Sequence, residues 1–269
     1  MFERPVLRIA TWIGLALAGC AFGAEVMPAS EAPARPLRIV ALGDSTTEAG
    51  WEGNANSVYA ERLASALAAR GVANEVINAG ISDTTSRQAV ARLDRDVRRH
   101  EPDYVIVQFG INDSWIDAHE GRTAPRLTLE EYADSLHTII RTLRADGATV
   151  ILMTPNPMRW SELYGGELRD PALGFDFGDP RGMNRLLDAY AERAREVARA
   201  EDVILVDVAE RFEAYGRAPG RSVDDLLIEN DGIHPNDAGH ALIAEWLLEA
   251  ILADRGGASA GAPRSAGGP

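Results

Sequence analysis

Residues 37–45 read Leu-Arg-Ile-Val-Ala-Leu-Gly-Asp-Ser. A short, nearly continuous apolar run closed by glycine marks a strand covered on both faces, the pattern of a parallel sheet rather than of a half-exposed one. Working outward, Leu37–Leu42 is the first of five predicted strands. The others are Asn74–Asn78, Tyr104–Phe109, Thr149–Met153 and Val203–Val208. Helical stripes fall between and after them. Tyr59, Leu63 and Leu67 share one face, as do Leu187, Tyr190, Ala194 and Val197. Thr128-Leu129-Glu130-Glu131 is a capping box ahead of Tyr132, Leu136, Ile139, Ile140 and Leu143, and Leu242, Ile243, Trp246, Leu247 and Ile251 mark the last helix. Strands alternating with helices predict an α/β protein, a three-layer α/β/α sandwich with right-handed crossovers around a five-stranded parallel sheet.

Ligands of such sheets sit beyond the carboxyl ends of the strands. Those ends carry Gly43-Asp44-Ser45, Asn78-Ala79-Gly80, Gly110-Ile111-Asn112-Asp113 and Thr154-Pro155-Asn156, and the fifth strand leads on toward Asp231-Gly232-Ile233-His234-Pro235. Ser45 follows its strand directly, at a tight turn expected to lead into a helix whose free N–H groups favour an anion. Gly-Asp-Ser alone is equally a helix cap. His234 alters the weight: a serine hydroxyl needs a neighbouring base, and the ordinary histidine pKa near 6.5 suits that task. A base also needs a carboxylate to hold its tautomer, and Asp231 lies three residues before His234 with Gly232 between them.

Gly43-Asp44-Ser45, Gly80, Gly110-x-Asn112-Asp113 and Asp231-x-x-His234-Pro235, in that order over about 37–250, resemble the four blocks of SGNH (GDSL-type) hydrolases. The resemblance implies a flavodoxin-like fold and a serine ester hydrolase with Ser45, Asp231 and His234 as its triad. It also implies three oxyanion donors: the backbone N–H groups of Ser45 and Gly80 and the side-chain amide of Asn112. Thr46 and Thr47 stand where many members carry a large aliphatic residue, which bears on pocket shape. Asp44 and Asp113 read as structural, bonding loop N–H groups. The family spans carbohydrate O-acetylesterases, arylesterases, thioesterases and lysophospholipases; the expectation for this chain is removal of short acyl groups, acetyl above all, from carbohydrate or small-molecule esters. The alternatives are a lysophospholipase or thioesterase-type acylhydrolase, or a non-catalytic glycan-binding lipoprotein; the last is expected to lack Ser45, Asp231 or His234.

Twenty-seven cationic residues, all arginine, face 41 carboxylates, for a net charge of -14 without a basic stripe. That excludes the clustered positive charge nucleic-acid binding requires. Residues 1–19 combine Arg4 and Arg8 with an apolar run, Ile9–Gly19, too short to span a bilayer but suited to a signal peptide. Leu17-Ala18-Gly19-Cys20 resembles a bacterial lipobox and contains the sole cysteine, so the protein is expected to be exported and anchored in a membrane through lipidated Cys20; ordinary cleavage near Gly23 is the alternative. Residues 20–36 read as a tether, 37–254 as one hydrolase domain, and 255–269 as a disordered tail. His100, His119, His137 and His240 show no metal-ligand spacing, and G-x-S-x-G, P-loop and dinucleotide fingerprints are absent, so no metal or cofactor is expected. The irregular segments 114–127 and 154–182, the latter with Trp160, Tyr164, Phe175 and Phe177, are expected to border the site.

Overall fold

A computed structural model of the chain describes residues 35–48, 57–159 and 184–260. The expected leader, Cys20, the tether up to residue 34, the four aromatic residues of the second irregular segment and the tail from 261 lie outside the described residues. Arg35, at the end of the expected tether, forks onto Asp103 at 2.5 and 2.9 Å.

The five strands are β1 (Leu37–Gly43), β2 (Asn74–Gly80), β3 (Tyr104–Gln108), β4 (Thr149–Met153) and β5 (Ile204–Val206). All pair in parallel, in the order β2-β1-β3-β4-β5. The helices are α1 (Tyr59–Ala69), α2 (Ser86–Asp96), the single turn α3 (Ile111–Ser114), α4 (Leu129–Ala145), α5 (Asn184–Glu201), α6 (Val208–Gly216) and α7 (Asp237–Ala260). Successive strand residues point to opposite faces. Val40, Leu42, Val105, Val107, Val150 and Leu152 therefore pack on α2, α4 and α5. Ile39, Ala41, Ile106, Ile151, Met153 and Val206 pack on α1, α6 and α7. The doubly buried runs thus sit in the middle layer, as the sequence predicts.

Two boundaries differ from the sequence reading. The fifth strand is shorter than Val203–Val208, because Asp207 caps α6: its side chain accepts the Glu210 N–H at 3.2 Å, and Val208 opens the helix. The last helix continues to Ala260, past Asp254 where the domain is expected to end. Arg255, Gly256 and Gly257 are exposed, so this stretch carries helical backbone bonds without adding to the core.

One helix start is capped from a distance. Val58, at the N-cap of α1, has no side-chain acceptor, and the Tyr59 N–H donates instead to Nδ1 of His240 on α7, at 3.2 Å. His240 is fully buried, and its Nε2 has no partner among the described residues. Burial pushes its pKa down to about 3, with Arg62 and His234 acting in the same direction. A group that is neutral when folded but protonates near 6.5 when unfolded withdraws stability as pH falls through that window. His240→Gln is accordingly expected to gain stability relative to the wild type between pH 6.5 and about 3, measured by denaturant unfolding across pH; a constant difference would refute this.

Candidate active site

At the end of β1 the chain makes a single turn. Thr47 and Glu48 N–H both donate to the Asp44 carbonyl at 3.0 Å, and Asp44 Oδ1 accepts the Thr46 N–H at 2.9 Å. A helix directly after Ser45 is expected from the sequence. Residues 45–47 instead form a turn, and the next described helix begins at Tyr59. Glycine at 43 is steric: a Cβ there would lie 2.0 Å from Thr47 Oγ1. Arg92 of α2, 7% exposed, pins this junction, donating to the carbonyls of Gly43 at 2.9 Å and Ala79 at 2.7 Å. Thr46 and Thr47 are buried and do not line the pocket; Thr47 Oγ1 bonds Tyr59 Oη at 2.8 Å.

The second half of the site comes from the loop before α7. Ile228 and Gly232 close it, with Ile228 N–H on His234 O at 2.9 Å and Gly232 N–H on Ile228 O at 2.8 Å. Asp231 folds back on its own turn: Oδ1 accepts the N–H groups of Ile233 (2.5 Å) and His234 (2.9 Å), leaving Oδ2 2.5 Å from His234 Nδ1. His234 Nε2 then lies 2.8 Å from Ser45 Oγ. The three residues thus form one hydrogen-bonded line, in which an imidazole held by a carboxylate can take a hydroxyl proton. Asn156, buried beyond β4, fastens the loop by donating to the Ile233 carbonyl at 2.7 Å. The sequence marks Asn156 only as a strand-end residue and gives no sign of Arg92's role.

Ser45, Asn112 and His234 line one cavity of about 400 Å³ together with Ser82, Asp83, Ile111, Trp115, Asp117, His119, Arg126 and Ile233. A larger depression of about 980 Å³ lies at the opposite, amino ends of the strands among paired charges such as Arg98–Asp146, away from every predicted site residue. Asn112 Nδ2 donates to Thr84 O at 3.2 Å, which leaves its second hydrogen available to the cavity. Gly80 does not join them. Its N–H donates to Asn78 Oδ1 at 2.9 Å, and a Cβ on it would lie 2.2 Å from the Glu48 backbone nitrogen, so glycine is needed there for close packing beneath the Ser45 turn. From this loop Ser82 and Asp83 line the cavity, Asp83 in the left-handed conformation at φ 60°. That region costs an L-residue on the order of 1–2 kcal/mol and is tolerated best by Asn and Asp. The N–H groups of Ser45 and Asp83 donate to no acceptor among the described residues.

Asp44 and Asp113 are structural, as expected. Asp113 accepts Ser86 N–H (3.0 Å), Ser86 Oγ–H (2.5 Å) and Gly110 N–H (3.0 Å), tying α2 to the loop that carries Asn112. Burial raises its pKa against those bonds. Burial also pushes the Asp44 carboxyl up to about 7, opposed by the Thr46 N–H and by His234.

The family model of the GDSL-like lipase/acylhydrolase family matches residues 41–242, and the chain belongs to that family. It is a carboxylic ester hydrolase of the α/β type. It is 27% identical over 177 residues to an acetylxylan esterase of Geobacillus stearothermophilus, covering 65% of this chain and 71% of that protein. It is 29% identical to the uncharacterized lipoprotein YqeF of Bacillus subtilis, covering 81% of this chain and 90% of the relative. The crystal structure of a lipase/acylhydrolase from Enterococcus faecalis superposes with a TM-score of 0.62 at 27% identity, covering 81% of this chain and 96% of that one.

The packing of Gly80 generates a prediction. Gly80→Ala keeps the N–H but forces backbone against backbone, and overpacking of this kind costs about 1–3 kcal/mol. A lowered melting temperature together with reduced ester turnover is expected; unchanged melting would show that the contact is not tight.

Proposed function

We propose that the chain cleaves short acyl esters, acetyl above all, of carbohydrates or similar neutral alcohols, through an acyl-enzyme on Ser45. The observation that carries this reading is the unbroken line Asp231 Oδ2–His234 Nδ1, His234 Nε2–Ser45 Oγ at 2.5 and 2.8 Å, opening into a cavity. His234 takes the hydroxyl proton as Ser45 Oγ attacks the ester carbonyl. It then returns the proton to the leaving alcohol and activates water for deacylation, while Asp231 steadies the imidazolium. The N–H groups of Ser45 and Asp83 and the Asn112 amide receive the developing oxyanion. Asp83 takes the place in this set that the resemblance assigns to Gly80. The preference for short acyl groups rests on the cavity lining, in which Asp83, Asp117 and Arg126 stand alongside Ile111, Trp115 and Ile233. A long alkyl chain reaching that lining would strip water from charged groups, a cost that apolar contact does not recover.

Ser45→Ala and His234→Ala are each expected to lower kcat on p-nitrophenyl acetate by about 10⁴–10⁶, and the double variant to be little worse than either alone. Asn112→Ala should lower kcat by about 10²–10³ with little change in KM, because its bond strengthens as charge develops. A fluorophosphonate should label Ser45 by peptide mapping; full activity in Ser45→Ala would end the reading. A panel of acetylated sugars set against lysophospholipids tests the substrate, and preferential turnover of the lipids would overturn the short-acyl assignment.

We also propose export and anchoring at Cys20, supported by the lipobox-like Leu17-Ala18-Gly19-Cys20 and by the similarity to a lipoprotein of Bacillus subtilis. Among the described residues no helix is long and apolar enough to cross a membrane. Mass spectrometry of membrane-extracted protein should find an acylated N-terminus at Cys20; an unmodified one at Ala24 would exclude the anchor.

A further inference from the structure

We infer that Arg126 is a positioning residue: by pairing with the Asp83 carboxylate across the cavity, it holds the Asp83 backbone in the left-handed conformation that presents its N–H to the oxyanion. The inference rests on the proposed role of that N–H.

The loop 82–84 has to be held against its own preference. An aspartate sits at φ 60°, where glycine would sit without strain. Three neighbours fix the loop. Glu48 Oε2 accepts the Ser82 N–H at 2.9 Å, and Asn112 donates to the Thr84 carbonyl at 3.2 Å. Arg126 Nη1 donates to Asp83 Oδ1, among the described residues the one tie to the side chain of the left-handed residue itself. Arg126 is suited to this task because it is fixed independently. Asp117 grips its guanidinium with both oxygens, at 2.7 and 2.9 Å, and its backbone N–H donates to Trp115 O at 2.9 Å. The Arg126 bonds hold Asp117 below its usual carboxylate range, so the fork stays ionised. Arg126 is 23% exposed and Asp83 75%, which makes the Arg126–Asp83 pair a wet one, sensitive to salt. A weak tie suffices when the alternative conformations of one loop residue differ by little.

A glycine at 83 has no need of the tie, and that separates positioning from general support of the loop. With p-nitrophenyl acetate, Arg126→Gln is expected to lower kcat three- to tenfold with KM within twofold. Asp83→Ala should lose more, having neither the tie nor the tolerance. In the Asp83→Gly background kcat should no longer depend on Arg126, so Asp83→Gly/Arg126→Gln should match Asp83→Gly alone. Thermal melts of each variant check folding, and Asp83→Gly, with the Arg126–Asp117 fork intact, gives a folded comparison. Wild-type kcat in Arg126→Gln, or a double variant three- to tenfold below Asp83→Gly, overturns the inference. In either case an inactive Ser45→Ala leaves the serine mechanism standing, whereas an active Ser45→Ala removes the reading on which the inference rests.

Discussion

Pairing of β1 with β2 on one edge and β3 on the other is the constraint from which the rest of the molecule follows. Because the second strand is laid on one side of the first and all later strands on the other, the crossover helices leave β1 and β3 in opposite directions and a crevice opens at their carboxyl ends. The register aligns Gly43 with Gly80 and with Gln108, so three loops leave the sheet at one level. Ser45, Asp83 and Asn112 are the residues those loops bring to the crevice. The loop carrying Asp231 and His234 reaches the same place because it leads into α7, which packs on the face of β1 opposite α2 and α4.

Bringing four loops to one cavity demands more than strand pairing, and the protein meets that demand with buried polar side chains. Arg92 spans the Gly43 carbonyl that ends β1 and the Ala79 carbonyl near the end of β2, Asp113 joins the start of α2 to the Asn112 loop, and Asn156 joins the end of β4 to the His234 loop. Each group forfeits hydration, and each recovers it through bonds whose geometry is specific. The recovery is incomplete at Arg92 Nε and Asp44 Oδ2, which have no partner among the described residues, and the Asp44 pKa is lifted to about 7 beneath the proposed nucleophile.

How much of this could be read from the chain depended on the range of the signal. The central strands β1, β3 and β4, buried on both faces, announce themselves as apolar runs, the half-buried edge strands β2 and β5 are legible from short β-branched runs, and Thr128–Glu131 announces α4 through its own cap. Ser45, Asp231 and His234 were legible because two sit on one turn and the third ends a strand. Gly80 misled because a glycine at a strand end satisfies both a close approach and an exposed N–H, and only packing against Glu48 distinguishes them. Asp83 left no mark, since its backbone conformation is set by contacts with residues far away in sequence. Arg92 and Asn156 were silent for the same reason: their partners are backbone carbonyls, which every residue possesses.

The charged wall of the cavity links positioning to selectivity in the proposed mechanism. Asp83, Arg126 and Asp117 form the ion-paired set proposed to hold the oxyanion loop, and the same three side chains share the cavity lining with Ile111, Trp115 and Ile233. Each methylene of a bound acyl chain gains only about 0.8 kcal/mol on burial. That gain reverses once a chain displaces water from an ion pair. Lengthening the acyl group therefore adds binding energy only as far as the apolar residues extend. With two carboxylates against one guanidinium, the wall carries a net negative charge, and a phosphate-bearing alcohol would meet repulsion where a neutral sugar hydroxyl would find hydrogen-bonding partners. On the proposed reading, discrimination comes from the cost imposed on long or anionic esters as much as from attraction to short neutral ones.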